Sequence, residues 1–220
     1  MATVYIFIGP PGAGKGTLGD IFCEKTGVIH ISTGQLLREE MAAGSELGRQ
    51  VKDIIVSGAL VSDEIVAKMV ENRLSKADIA EHGCLLDGFP RTIPQAGMLD
   101  GILERGGHKM APVVLIEAER AVILRRLTSR RVCSNKSCGA TYNVITLKPK
   151  VEGICDKCGS PLEQRKDDTE ATALNRLAVY AKETEALVDF YAKRGQLVRT
   201  RSADDSLDAN YQRLMDALKG

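Results

Sequence analysis

The sequence predicts an α/β fold: a doubly wound parallel sheet with helices on both faces and a small inserted subdomain. Three observations lead there. Short apolar runs alternate with longer stretches of helical period. A glycine-rich turn carrying a lysine joins the first apolar run to the first helical stretch. One segment, about residues 132–164, breaks the alternation and holds four of the six cysteines.

The strand candidates are residues 4–8, 28–31, 84–86, 113–116 and 197–200. Helical stretches fall at 15–25, at 34–43 and 47–57 as a pair, and at 63–75, 94–105, 120–130, 170–193 and 207–218. In the stretch 170–193, Leu174, Leu177, Ala181, Leu187, Val188 and Tyr191 recur near the 3.6-residue period, and Gly195 stands just past its end as a stop. A chain of 220 residues suits one sizeable domain with a small insertion. In a doubly wound sheet, ligands sit beyond the carboxyl ends of the strands.

Composition narrows the partners. Hydrophobic residues make up 44% and charged residues 27%, ordinary values for a globular protein. The formal net charge of +1 implies no bulk attraction to nucleic acid or to an anionic membrane, so anion binding must come from local clusters of Arg and Lys. No apolar run reaches the roughly 18 residues that a membrane span needs. The apolar start has no basic leader before it and runs straight into a Gly/Pro turn, which predicts a buried strand and a cytoplasmic protein.

The turn reads Gly9-Pro10-Pro11-Gly12-Ala13-Gly14-Lys15-Gly16-Thr17. Strand before and helix after are the context that a phosphate loop requires. Glycines let several N–H groups converge on one phosphate, and the helix start adds partial positive charge. Lys15 can reach the outer phosphates of a nucleoside triphosphate, and the Thr17 hydroxyl can ligate magnesium. One detail departs from the general motif: Gly16 stands between the lysine and the hydroxyl residue.

Residues 132–164 are too few to bury a core of their own, and a bound metal would explain how they fold. Cys133 and Cys138 form one short pair, Cys155 and Cys158 another. Four thiolates in a tetrahedral array suit zinc best, with iron or cobalt possible, and leave no open coordination position, so the site is structural. Reduced thiols or a disulfide are the alternative. Cys23 and Cys84 are isolated and read as core thiols; His30, His82 and His108 lack ligand spacing and read as structural or surface residues.

The loop with glycine between lysine and threonine resembles that of the adenylate kinases and their nucleoside monophosphate kinase relatives. The rest of the chain agrees. Ser32-Thr33-Gly34-Gln35-Leu36-Leu37-Arg38 resembles the family's monophosphate-site motif, and Leu85-Leu86-Asp87-Gly88-Phe89-Pro90-Arg91-Thr92 its LLDGFPRT signature, with Gln95 in place. Arg130-Arg131-Val132 and Arg165-Lys166-Asp167-Asp168 match two further elements. The blocks run from residue 4 to about 193 in the right order and spacing.

The resemblance implies a P-loop three-layer fold and magnesium-dependent phosphoryl transfer between ATP and AMP, giving two ADP. It divides the chain into a core (1–31, 62–128 and 169–220), a monophosphate-binding segment (32–61) and a lid (129–168), in a monomer. Planar guanidinium forks suit phosphate oxygens, and transfer needs alignment and charge neutralisation more than covalent help. By family position, Gly12, Ala13, Gly14, Lys15, Gly16, Thr17, Arg126 and Arg130 would hold ATP phosphates, with Thr141 and Tyr142 near its base. Arg38 and Arg91 would hold AMP, Thr33 and Gln95 would contact its adenine, backbone groups of Ala59, Leu60 and Val61 would lie against the base, and Gly88, Phe89 and Pro90 would complete the site. Arg165 and Arg176 would bridge to the transferred group. Asp87 and Thr17 would sit near magnesium, Asp87 through water; helix capping is the alternative for Asp87. Zinc-lid members usually place two residues between paired cysteines, whereas four separate Cys133 from Cys138. The turn 199–205 lacks the glycine with which many members touch the adenine of ATP.

Two other readings compete. One is a kinase for UMP or CMP, against which the long cysteine-bearing lid argues. The other is a nucleic-acid-binding protein whose ribbon is the contact surface. That needs basic charge and stacking aromatics, and residues 132–164 offer one aromatic, Tyr142, amid mixed charge.

Overall fold

A computed structural model describes residues 1–135, 137–165 and 167–219. Lys136 and Lys166, which belong to the first cysteine pair and to the Arg165–Asp168 motif, lie outside the described residues. The elements run β1 (Thr3–Ile8), α1 (Lys15–Thr26), β2 (Ile29–Ser32), α2 (Thr33–Ala43), α3 (Glu46–Ser57), α4 (Asp63–Leu74), α5 (Ala77–His82), β3 (Cys84–Asp87), α6 (Ile93–Gly106), β4 (Lys109–Glu117), α7 (Arg120–Thr128), β5 (Arg130–Cys133), β6 (Thr141–Asn143), β7 (Leu162–Glu163), α8 (Glu170–Val179), α9 (Ala186–Lys193), β8 (Leu197–Arg201) and α10 (Leu207–Lys219).

Five strands form one parallel sheet in the order β2-β3-β1-β4-β8. The expected α/β sheet is borne out, and its strands alternate. Val4, Ile6 and Ile8 of β1 join Val113 and Leu115 of β4 on one face, under α4, α6 and α9. Phe7, Val114 and Ile116 point to the other, against α1 and α10 with Leu18, Phe22 and Leu214. Each such side chain contributes about 1.5–3 kcal/mol by leaving water, so these two faces dominate the stability. The chain leaves β1 toward β2 on one side and β4 toward β8 on the other, so a crevice opens at their carboxyl ends.

A second sheet is small and antiparallel, in the order β6-β5-β7. The sequence reading left this region without regular structure. It also extended a helix to Arg130, whereas α7 ends at Thr128 and Arg130 opens β5. Strand pairing with Tyr142 and Asn143 overrides the helical pattern there. The stretch 170–193 is two α-helices joined by a π-helical turn, Tyr180–Thr184. Leu187 and Tyr191 are fully buried, as is Ala173, which lies 14 and 18 residues before them and so on the same helical face, while Leu174, which the sequence reading points inward, is 40% exposed. Helix α5 escapes sequence reading because six residues with one buried side chain, Ile79, show no period. No helix among the described residues is long and apolar enough to cross a membrane.

Candidate active site

The site is built on the loop that leaves β1. Gly9 has φ 140°, and a Cβ there would lie 2.3 Å from the Ile116 carbonyl oxygen on β4. Gly12 has φ 81°, and its Cβ would lie 2.9 Å from the Leu127 side chain. Only glycine lets the loop lie this flat across β4 and α7. Helix α1 then starts at Lys15 with Gly14 as its cap residue and no side chain on its first N–H groups. Serine or threonine hydroxyls cap α2, α3, α4, α6 and α8. The open donors of α1, with its positive helix end, make an anion site.

Lys15 Nζ donates to the carbonyls of Gly9 and Pro10 at 2.8 and 2.9 Å. Burial pulls its pKa down to about 8; Asp87 opposes the shift, and Arg91 and Arg130 add to it. Asp87, at the end of β3, stands beside the start of α1: a Cβ on Gly16 would be 3.5 Å from its Oδ2. Thr17 and Asp87 line the same cleft of about 650 Å³, a size in the range of small-molecule sites.

Seven arginines line that cleft: Arg73 on α4, which is paired with Asp78, and the six expected ones, Arg38 on α2, Arg91 after β3, Arg126 on α7, Arg130 on β5, Arg165 before α8 and Arg176 on α8. Burial, then Arg130 and Arg38, brings Arg165 down to about 9. Burial also brings Arg38 down to about 10. These shifts say that positive charge is concentrated where water solvates it poorly, so the cleft favours an anion. Two carboxylates hold the cluster together. Arg130 Nε donates to Asp168 at 2.7 Å, and Arg176 pairs with Asp167 and, at 3.6 Å, with Asp168. Burial opposes charge on Asp167, but Arg176, Arg38 and Arg130 outweigh it and hold the carboxyl below its usual range.

Arg126 is fixed by the turn that lacks the expected glycine. Its guanidinium donates to Ser202 Oγ at 2.9 Å, to the Ala203 carbonyl at 2.5 Å and to Asp204 at 3.1 Å. The Ala203 N–H is taken by Asn210 Oδ1 at 2.9 Å. Residues 202–204 therefore hold an arginine over the phosphate loop, a role for Ser202 and Asp204 that no motif announced.

The remaining expected residues divide. Gly12, Gly14, Gly16, Leu60, Gly88, Pro90, Thr141 and Tyr142 line the cleft. Ala13, Val61 and Phe89 are buried, and Ala59 is exposed with its N–H bonded to the Ile54 carbonyl. Thr33 and Gln95 are 2% exposed and face inward. Thr33 donates to the Gly88 carbonyl at 3.0 Å; Gln95 bonds the Arg91 N–H and Asp63. His30, read as a bland residue, lines the cleft with Nδ1 2.8 Å from Asp20 and Nε2 4.0 Å from Asp87. Burial alone would lower its pKa; the Asp20 hydrogen bond and Asp87 prevail and raise it.

At the far end of the small sheet, the sulfurs of Cys133, Cys138, Cys155 and Cys158 lie within 4.8 Å of one another. The pairs Cys133–Cys158 and Cys138–Cys155 are 3.3 and 3.7 Å apart, too long for disulfides. A tetrahedron with metal–sulfur bonds near 2.3 Å has edges of about 3.8 Å, so the cluster fits an ion. Tyr142 connects it to the cleft: its hydroxyl accepts from the Asp156 N–H at 2.7 Å and lies 3.6 Å from Cys155 Sγ. Cys23 and Cys84 are free thiols, Cys84 fully buried.

The family model for adenylate kinase matches residues 7–196. The chain is 47% identical to an adenylate kinase of Kosmotoga olearia over 92% of either chain. It is 45% identical to one of Caldanaerobacter subterraneus subsp. tengcongensis, over 98% of this chain and 96% of that one. To one of Desulforudis audaxviator it is 46% identical, over 97% and 98%.

Proposed function

The chain belongs to the adenylate kinase family, and on that premise we propose how its residues carry out reversible, magnesium-dependent phosphoryl transfer from ATP to AMP, giving two ADP. The observation that carries the assignment is charge geometry: the phosphate loop with Lys15 and the arginines from α2, the turn after β3 and α8 line one cleft. A single phosphate chain does not need both groups.

ATP phosphates take the loop from Gly12 to Thr17, with Arg126 and Arg130 over them, and its base lies by Thr141 and Tyr142. The AMP phosphate takes Arg38 and Arg91, and its base lies against residues 59–61 and 88–90. Thr33 and Gln95 shape that site from beneath. Arg165 and Arg176 reach the transferred group from the lid side. Spreading negative charge in the transition state meets fixed cations, which is the main source of rate in such transfers. Thr17 and Asp87 would hold the magnesium that accompanies ATP, whose charge would offset that of the phosphates.

Residues 129–168 act as a lid and residues 32–61 as a second cover, each closing on the core to exclude water. Zinc is the ion that the four thiols suit best; its role is to hold the lid in shape. All groups come from one chain, which favours a monomer, and free thiols with a thiolate metal site favour the cytoplasm.

Calorimetry tests the two-site assignment. Arg91→Ala should lose AMP binding and keep ATP binding, and Lys15→Met should weaken ATP and spare AMP. Loss of the same nucleotide in both variants sinks it.

A further inference from the structure

We propose that Asp63 is a positioning residue for AMP: its carboxylate fixes the turn that presents Arg91, without touching the nucleotide itself. The inference rests on the assignment of Arg91 to AMP. Asp63 is the first residue of α4, two residues beyond the segment 32–61, with the cap residue Ser62 between. Its Oδ1 accepts from Gln95 Nε2 at 2.7 Å, and its Oδ2 accepts from Thr92 Oγ1 at 2.9 Å. Thr92 in turn caps α6, accepting from the Gln95 N–H at 3.2 Å. Gln95 passes the constraint on, because its Oε1 accepts from the Arg91 backbone N–H at 2.7 Å. Arg91 Nε then closes the turn on the Gly88 carbonyl at 2.8 Å, where Thr33 also donates.

Chemistry allows one arrangement of this chain of bonds. The Arg91 N–H is a donor and needs the amide oxygen; the Asp63 carboxylate accepts and needs the amide nitrogen. Gln95 is therefore oriented by its two partners, and at 2% exposure it has no access to water in their place. Removing the carboxylate leaves the buried Gln95 amide nitrogen without its partner and the Thr92 hydroxyl proton without an acceptor, and frees Gln95 to rotate off Arg91. An arginine needs a fixed backbone for its fork to meet phosphate bidentately. The network also ties α4, at the hinge of the 32–61 segment, to the phosphate-binding turn.

The test compares Asp63→Ala, Asp63→Asn and Arg91→Ala by KM for each nucleotide, by melting, and by hydrogen exchange at the Arg91 amide. Asp63→Ala should raise the KM for AMP about tenfold, a typical consequence of losing hydrogen bonds to a charged group. The KM for ATP should stay within about twofold, and Arg91 amide exchange should accelerate. Asp63→Asn keeps an acceptor for Gln95 and can donate to Thr92 Oγ1, so it should restore most of the AMP affinity. If Asp63→Ala does not fold, Thr92→Val, which cuts one arm, should still raise the KM for AMP alone. An unchanged KM for AMP, or an equal rise for both nucleotides with a lowered melting temperature, overturns the positioning role. If Arg91→Ala itself leaves the AMP KM unchanged, the Arg91 assignment falls, and the role of Asp63 falls with it.

Discussion

Strand β1 of the parallel sheet buries Val4, Ile6 and Ile8 on one face and Phe7 on the other. Strand β5 of the small sheet offers Arg130, Arg131 and Val132, each only half-buried, before Cys133 goes under. The first sheet has apolar layers above and below it. The second gathers Cys133, Ala140, Tyr142 and Cys155, with Cys138 and Leu162 beside them. Two of those four buried side chains, and one of the two beside them, are thiols. The small sheet carries Arg130, Thr141 and Tyr142 into the cleft, so its shape matters to the site although its own packing is thin. Hydrophobic burial holds one region, and in the proposed reading coordination by the four thiols holds the other.

Substitutions chosen from each region test that division. The largest effect belongs to the core's own chemistry. Lys15→Met should cut turnover by on the order of a thousandfold while melting stays near the parent value, because the lysine serves phosphate and not packing. Near-normal turnover in a steady-state assay would remove the loop from the account.

Next comes the ion. Cys155→Ser, or a strong chelator, should release one metal per chain and speed hydrogen exchange across residues 130–163 by orders of magnitude, with β1, β3 and β4 still protected. Transfer lost with fold, metal content and melting all unchanged would mean that the ion takes part in the chemistry. Apolar truncation should show the same split. Leu86→Ala, in a fully buried strand position, should cost about 2–5 kcal/mol in global denaturation. Leu162→Ala, half-buried on β7, should leave the global midpoint nearly unmoved and act on the small sheet alone. The smallest effect is Tyr142→Phe. It removes the acceptor for the Asp156 N–H, about 1 kcal/mol of local stability, and should quicken metal release to a chelator without moving the core's unfolding.

The same contrast explains what could be read in the sequence. The central strands β1, β3 and β4 announce themselves because burial on both faces demands apolar runs such as Val113–Ile116. The phosphate loop is legible because backbone geometry restricts Gly9 and Gly12 to glycine. Strand β5 is not legible, since two arginines in four residues look like the tail of an amphipathic helix. The π-helical turn at Tyr180–Thr184 is hidden as well: the buried positions Ala173, Leu187 and Tyr191 keep ordinary helical spacing across it, so no break in the period marks it. In the site, motif arginines were visible and the groups that aim them were not. Asp63, Ser202 and Asp204 make contacts 29 to 78 residues away in sequence, and only folding brings those partners together. His30 was passed over because a lone histidine has no spacing to betray it, and strand β2 sets it on the cleft wall.

The proposed transfer depends on a donor site on the loop facing a monophosphate site made by arginines. A turnover assay with ATP and, in separate runs, AMP, UMP, CMP and GMP tests it most directly, with metal analysis of the same sample. The account predicts two ADP per turnover with AMP, slow or absent transfer to the other three, and one lid metal per chain. No ADP from ATP and AMP, or equal rates with all four acceptors, would contradict it.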